Sequence, residues 1–204
     1  DSSSHIVYHV TIKEGLRIGT VLKQLADATG ISLEKFQSAA KDLSAIGVPS
    51  SAPNADGYLF PATYDFDPSQ NAKDILKTMV DRCYQELDKF GVAVSDRHKV
   101  LTMASIIQKE ARQTADFYKV SRVFANRIKI GMKLQSDATV SYGSGGTTVT
   151  TTDAERAANN GYNTYVRDGL PIGAIGGAGS LAIDAALHPA TGTWLFFCAI
   201  NLQT

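Results

Sequence analysis

Hydrophobic and polar positions alternate along residues 5–12, which predicts a β-strand. The apolar residues 58–66 are predicted to return as a second strand, in which Pro61 suggests an edge or a bend. Between them, the apolar positions of residues 20–29 and 33–43 recur every three to four residues, which predicts two helices. Gly30 ends the first of these helices, and Ser32 caps the second. Residues 1–66 are therefore predicted to form a compact unit with the order strand, helix, helix, strand.

The rest of the chain has mainly helical periodicity. Helices are predicted over 71–90, 95–112, 116–130 and 180–187, with a brief helix after the possible capping box Thr152-x-x-Glu155. Residues 143–150 read as an ordered surface loop, and residues 193–200 as a buried strand. The fold class is thus predicted as α+β. A small LysM-like α/β subdomain (1–66) precedes a mainly helical domain (67–204) with a short β-sheet. The term LysM-like refers only to the shared order of strand, two helices and strand.

Composition narrows the classes of ligand. The 204 residues include 20 Lys+Arg and 20 Asp+Glu, so no broad cationic field favours nucleic acid or anionic lipid. No apolar run reaches the roughly 20 residues of a membrane span. Cys83 and Cys198 have no metal-ligand spacing and leave a disulfide open. We expect no metal and no cofactor.

The predicted helix 95–112 carries two neighbouring stripes. The apolar stripe consists of Val100, Ala104, Ile107 and Ala111. The second stripe consists of Leu101, Ser105, Gln108 and Arg112. Gln108 borders the core face and is predicted to look into a cleft, whereas Glu110 lies about 200° further round the helix. The two side chains are therefore not expected to serve one site from the same face.

Three further segments, residues 134–143, 162–165 and 169–175, combine aromatic rings or rigid turns with small polar side chains. Sugar rings stack on aromatic faces, and their hydroxyls need fixed hydrogen-bond partners, so this composition is typical of a glycan-binding groove. Tight turns held by side-chain-to-backbone bonds are the alternative interpretation. The predicted substrate-binding residues are Ser105, Gln135, Ser136, Asp137, Tyr142, Tyr162, Asn163 and Tyr165.

Together these motifs resemble the endolytic murein transglycosylases of the MltG (YceG-like) family over nearly the whole chain. The matching segments are 57–61, 104–107 with Glu110, Asn126-Arg127, 134–137, 139–140, 142–143, 162–165, 169–171 and Pro189. The resemblance implies an enzyme that cleaves the β-1,4 bond between N-acetylmuramic acid and N-acetylglucosamine in peptidoglycan and leaves a 1,6-anhydro end. It also implies a single-pass anchor in the cytoplasmic membrane, an extracytoplasmic catalytic domain and partners in cell-wall synthesis.

The sequence departs from that family at several positions. By the resemblance, Gln108 stands where the family carries its catalytic acid/base Glu, so we predict a chain inactivated at this position, by design or as a natural inactive relative. Asp56 and Ala138 replace the usual Glu and Pro, and the chain stops at Thr204, short of the family's last strand segment. A peptidoglycan-binding relative without catalytic activity is therefore the alternative function.

Residue patterns raise two other functional classes, a nucleotide-binding protein and a histidine- or thiol-based hydrolase. Gly173-x-x-Gly176-Gly177-x-Gly179 before a helix hints at nucleotide binding, but the segment lacks both the Lys-Ser/Thr of a phosphate loop and the dinucleotide spacing. A histidine- or thiol-based hydrolase is disfavoured because no His shows ligand spacing and neither Cys has a neighbouring base.

Overall fold

A small antiparallel sheet and two helices form the N-terminal part of the computed structural model, which describes residues 6–147 and 150–198. Strand β1 (Tyr8–Thr11) pairs with β2 (Thr63–Phe66), with Tyr8 opposite Phe66. Helices α1 (Ile18–Thr29) and α2 (Leu33–Lys41) lie between the strands in sequence. The predicted order of strand, two helices and strand is confirmed, although β2 begins five residues later than predicted because residues 58–62 form buried turns.

Six α-helices follow in the part of the chain that the structure describes, and the fold class is α+β. They are α3 (Ala72–Lys89), α4 (Arg97–Glu110), α5 (Thr114–Lys129), α6 (Asp137–Gly143), α7 (Asp153–Ala157) and α8 (Ser180–Leu187). The capping box predicted at Thr152 is present: its hydroxyl accepts from the Glu155 backbone N–H, and the Glu155 carboxylate accepts from the Thr152 backbone N–H.

Two local predictions were wrong. Residues 137–143 form a helix instead of a polar segment after a helix end. Residues 193–198 form no strand, and Trp194 and Phe196 are exposed; the rest of that predicted strand, and residues 148–149 of the predicted loop, lie outside the described residues. An apolar run resembles a buried strand in sequence. Within the described part of the chain, however, the one sheet consists of β1 and β2, and residues 193–198 do not pair with either strand.

One hydrophobic core extends through the molecule. It includes Val10 and Phe36 near the N-terminus and Ile107 and Ile183 near the C-terminus, without a break at residue 66. Helix α4 lies at its centre and packs against α5, α6 and α8, while α3 packs against α2. The division into 1–66 and 67–204 stays a prediction, and the packing across it is continuous.

Backbone contacts also join the two predicted units. The Gly15 N–H donates to the Gly177 carbonyl at 2.7 Å, and the Gly177 N–H donates to the Leu16 carbonyl at 2.9 Å. The approach needs a glycine at the neighbouring position, because a Cβ on Gly176 would lie 3.1 Å from the carbonyl oxygens of both Gly15 and Leu16. The glycine-rich segment therefore serves packing between the units.

The structure also bears on membrane-spanning helices and on the two cysteines. Across residues 6–147 and 150–198, no helix has the length and hydrophobicity needed to cross a membrane. Cys83 is buried, Cys198 is exposed, and both are free thiols, so the open question of a disulfide between them is answered in the negative.

Candidate functional site

The C-terminal end of α4 brings a carboxylic acid to a cavity. Glu110 is the last residue of α4, because Ala111 leaves the helix with extended backbone angles. The helix is held in place by buried residues such as Ala104 and Ile107. Its end therefore presents Glu110 from a fixed support, half-buried at the wall of a cavity of about 180 Å³.

The facing wall comes from the turn between α5 and α6. Gln135, Ser136 and Asp137 line the same cavity as Glu110. Thr164 holds this turn, since its carbonyl accepts from the Gln135 N–H at 3.1 Å and its hydroxyl accepts from the Ser136 N–H at 3.0 Å. Within the described residues, Gln135 is the one non-glycine residue with a positive φ, at 51°, a conformation that is often found at functional sites.

Glu110 has the environment of a general acid. Burial raises the pKa of its carboxyl, a hydrogen bond of 2.6 Å from the Ser136 hydroxyl lowers it, the Asp137 carboxylate raises it and the Arg127 guanidinium lowers it. The net effect is a pKa above the ordinary value, which favours a carboxyl that carries a proton to donate.

Arg127 and three apolar side chains complete the cavity. The Arg127 guanidinium is buried and donates to the carbonyls of Leu195 at 2.7 Å and Leu134 at 2.5 Å. The apolar lining consists of Phe124, Leu134 and Phe197. A cavity that combines apolar walls, two acids and one cation suits a polar organic ligand such as a sugar.

Gln108 lies outside this cavity. Its side-chain oxygen accepts from the Gly179 N–H at 3.1 Å, at the residue before α8, and its side chain lies beside the Gly15 turn. The neighbouring Lys109 ammonium donates to the Gly15 carbonyl at 2.5 Å. Gln108 and Lys109 thus tie α4 to the glycine-rich segment and to the N-terminal unit. That position 108 carries the family's acid/base stays a prediction, but the structure sets Glu110 and not Gln108 among the other predicted site residues.

A second polar cluster joins the N-terminal unit to α6. The Asp56 carboxylate is buried and accepts from the Ile18 N–H at 3.2 Å and from the Tyr142 hydroxyl at 2.9 Å. The ring of Tyr142 lies against that of Tyr162, with centroids 4.6 Å apart, and Asn54 donates to both hydroxyls. Tyr142 and Tyr162, two of the three tyrosines predicted to bind substrate, are therefore half-buried against each other and belong to this cluster.

Arg17 strengthens the same junction. Its guanidinium donates to the Gly146 carbonyl at 2.6 Å and to the Ser141 hydroxyl at 3.2 Å, and it lies 5.2 Å from the centroid of the Tyr142 ring. Arg17 and Asp56 together hold the C-terminal half of α6, whose N-terminal end carries Asp137. No sequence pattern pointed to Arg17, and Asp56 was noted only as a departure from the family pattern.

Asp56 should make stability depend on pH. Burial raises its pKa to about 6 from 3.8, so the folded protein holds a proton that the unfolded chain releases between these values. The stabilisation that the folded protein gains from this bound proton is therefore fully present below about pH 4 and is lost as the pH rises through 6. Asp56→Asn keeps an oxygen for Ile18 and Tyr142 and is expected to be about 1–3 kcal/mol more stable than the parent at pH 7.

Denaturant unfolding of both proteins from pH 4 to pH 8 measures this effect, with exposed Asp153→Asn as the matched control. The difference in unfolding free energy between Asp56→Asn and the parent should shrink towards pH 4. A difference that is independent of pH would contradict the assignment.

The side chains of two predicted substrate-binding residues are buried and bonded to backbone groups. The Ser105 hydroxyl is buried, donates to the Thr102 carbonyl at 2.8 Å and accepts from the Ile175 N–H at 3.1 Å. The Asn163 side chain is fully buried and donates to three backbone carbonyls. Both side chains therefore pair with backbone groups. For Asn163, in the segment 162–165, this is the alternative interpretation given for that segment.

Tyr165 does join the acid cavity, although indirectly. Its hydroxyl donates to Asp137 Oδ1 at 3.0 Å, and Thr151 donates to the same oxygen at 2.7 Å. The structure thus brings Gln135, Ser136, Asp137 and Tyr165 together around Glu110. In the part of the chain that the structure describes, no cluster of three His, Cys, Asp or Glu side chains could hold a metal ion.

Several known proteins are similar to this chain in sequence or in fold. An endolytic murein transglycosylase of Bacillus subtilis is 35% identical over 94% of this chain, and one of Streptococcus pneumoniae is 28% identical over 92%. A crystal structure described as a YceG-like protein of Listeria monocytogenes has a TM-score of 0.83 at 30% identity, covering 97% of this chain and 71% of that chain.

The chain spans 59% of the length of the Bacillus relative and 36% of the length of the Streptococcus relative. The profile of the YceG-like family matches residues 2–204, which is nearly the whole chain. On this match, together with the Bacillus relative and the Listeria fold, the chain belongs to the YceG-like family.

Proposed function

We propose that this chain is a peptidoglycan lytic transglycosylase that cleaves the β-1,4 bond between N-acetylmuramic acid and N-acetylglucosamine within glycan strands. The observation that carries the proposal is Glu110, a half-buried carboxyl with a raised pKa in a cavity lined by Gln135, Ser136 and Asp137. The Bacillus and Streptococcus relatives, both named endolytic murein transglycosylases, support this activity.

In the proposed reaction Glu110 acts first as acid and then as base. Its proton passes to the glycosidic oxygen as the bond from that oxygen to C1 of the muramic acid breaks. The C6 hydroxyl of the same sugar then bonds to C1 and gives its proton to the Glu110 carboxylate, which regenerates the acid. Water takes no part, so the product has a 1,6-anhydro end, unlike the products of two-carboxylate glycosidases.

Neighbouring groups have supporting roles in this scheme. Ser136 donates to one carboxyl oxygen of Glu110 at 2.6 Å and so fixes its orientation. Gln135 is exposed at the cavity and is placed to bind a sugar hydroxyl. No cofactor is needed because proton transfer and an internal hydroxyl complete the reaction.

The experiment is digestion of purified peptidoglycan by this chain, followed by mass spectrometry of the fragments at several pH values. Anhydro-ended fragments are expected, at a rate that falls as the pH rises through the pKa of Glu110, since the reaction begins from the protonated acid. Fragments with ordinary reducing ends would contradict the anhydro mechanism.

The same digestion tests the two alternatives based on Gln108. A chain inactivated at position 108 should give no fragments until Gln108→Glu is introduced. A binding relative without catalytic activity should sediment with peptidoglycan and cleave nothing in either form. Cleavage by the chain as it stands would exclude both.

The cellular setting follows from this reaction and is part of the proposal. Peptidoglycan lies outside the cytoplasmic membrane, so the protein acts there on glycan strands. A single-pass anchor and partners in cell-wall synthesis are what the family resemblance implies for the whole protein. Residues 1–66 are proposed as a LysM-like unit that completes the catalytic domain through the contacts of Gly15, Arg17 and Asp56.

A further inference from the structure

A second carboxylate lies in the same cavity as the acid. Asp137 is the first residue of α6, and it lines the cavity together with Glu110. Ser136, the residue before it, contacts Glu110 directly through its hydroxyl. Asp137 comes from a different element than Glu110, so the spacing of acids along α4 does not indicate that the two carboxyls share a cavity.

The contacts of Asp137 hold it in position without neutralising it. Both hydrogen bonds to its side chain, from Thr151 and Tyr165, reach the same oxygen, Oδ1. Both donors are uncharged hydroxyls. The Arg156 guanidinium on α7 interacts with Asp137 electrostatically, but among the salt bridges of the described residues none involves Asp137. The carboxylate is therefore fixed at the cavity wall without a salt-bridge partner in the described residues.

The charged and titratable groups around Glu110 come from three elements besides α4. Arg127 on α5 is the cation, Asp137 on α6 is the anion, and Tyr165 follows α7 and is bonded to Asp137. Arg127 points two of its nitrogens at backbone carbonyls, so its donors are partly committed to the chain itself. In Asp137, by contrast, both hydrogen bonds reach one carboxylate oxygen, Oδ1. The other oxygen, Oδ2, has no hydrogen bond in the described structure.

We propose that Asp137 is the anionic partner of Glu110, a carboxylate that stays ionised and faces the positive charge developing at C1 of the sugar. This inference rests on the proposed function. As the glycosidic bond breaks, C1 becomes electron-poor before the C6 hydroxyl bonds to it, and a fixed negative charge nearby stabilises that state. Asp137 forms no bond to the substrate, and the proton and electron pairs move as described above.

The same charge has a second effect, on the acid itself. A like charge nearby disfavours ionisation, so Asp137 helps to keep the proton on Glu110 before cleavage. The two carboxyls of the cavity thus have different roles, as in other sites that hold a pair of acids. Ser136 fixes the first, and Tyr165 and Thr151 fix the second.

The test is Asp137→Asn in the full chain. An amide oxygen still accepts from Thr151 and Tyr165, so the turn should keep its shape while the charge is lost. The turnover number is expected to fall on the order of 10²-fold with little change in KM. The alkaline limb of the pH–rate profile should move to lower pH, because Glu110 then ionises more readily.

Asp153→Asn is the matched control, since it removes a charge from the nearby helix α7, where the Asp153 side chain is 99% exposed. It should leave both turnover and the pH profile unchanged. Unchanged turnover in Asp137→Asn, or reduced turnover with an unmoved alkaline limb, would overturn the proposal.

A measurement independent of catalysis separates this inference from the proposed function. The Glu110 carboxyl can be titrated by carbon-detected NMR in the parent, in Asp137→Asn and in Asp153→Asn. Its pKa is expected to fall in Asp137→Asn alone. An unchanged pKa would overturn the pairing even if peptidoglycan is cleaved, and a lowered pKa in a protein that cleaves nothing would retain the pairing and reject the reaction.

Discussion

Glu110→Gln is expected to lower the rate of glycan cleavage on the order of 10³-fold, because the amide cannot give a proton to the glycosidic oxygen. The substitution keeps the size of the side chain and an oxygen to accept from Ser136, so the fold should be unchanged. The rate of release of anhydro-ended fragments, measured with the thermal stability of each protein, gives the result. Peptidoglycan binding should persist, since the cavity retains its shape.

Gln108→Glu is the matched variant, two residues away on the same helix. A carboxylate there can still accept from the Gly179 N–H, and it faces the junction with Gly15 rather than the cavity. Its cleavage rate is expected to stay within a few-fold of the parent rate. The opposite pattern, in which Gln108→Glu creates activity and Glu110→Gln leaves that activity intact, would transfer the acid to position 108 and reject the geometry proposed here.

Asn163→Ala is expected to lower the free energy of unfolding by about 3 kcal/mol. The Asn163 amide donates to the carbonyls of Glu155, Arg156 and Ala158, and its oxygen accepts from the Tyr165 N–H at 2.9 Å. Alanine removes this partner from the Arg156 and Ala158 carbonyls and from the Tyr165 N–H, whereas the Glu155 carbonyl still accepts from the Ala158 N–H at 3.2 Å. Each unpaired group costs about 1–3 kcal/mol, and relaxation and solvent recover part of the loss.

Thermal unfolding measures this effect, and a loss of about 3 kcal/mol corresponds to a shift on the order of 10 °C in a domain of this size. Asn159→Ala is the control, because Asn159 is exposed in the same segment, and it should unfold at the parent temperature. A fall in turnover is also expected for Asn163→Ala, but through the position of Tyr165 and Asp137. Normal stability with weakened substrate binding would instead restore Asn163 as a contact residue.

The glycine at position 30, the capping boxes and the apolar stripes were local signals, and they predicted most helices to within a few residues. These signals act between neighbours along the chain, so they survive without knowledge of the fold. Residues 137–143 were missed as a helix because a seven-residue segment rich in β-branched and polar residues has little helical signal of its own.

The candidate site also has one part that the sequence predicted and another that depends on packing. The motif around Glu110 and the segment 134–137 were found from the sequence, as were the residue types that a glycan needs. Helical geometry gave the angle between Gln108 and Glu110, but an angle does not say which of the two faces meets a cavity, since that depends on where α5, α6 and α8 pack. Ser105 and Asn163 show a related limit: whether a polar side chain pairs with a ligand or with a backbone group depends on its burial, which the sequence pattern does not show.

The sequence by itself determined the α+β class, the family and the chemistry that the side chains can perform. Only the tertiary structure decided that Glu110 and Asp137 share one cavity, and that Asp56 meets Tyr142 across 86 residues of chain. Local patterns depend on interactions within a few residues, whereas a raised pKa, a buried amide and a paired carboxylate are created by groups far apart in sequence that packing brings together.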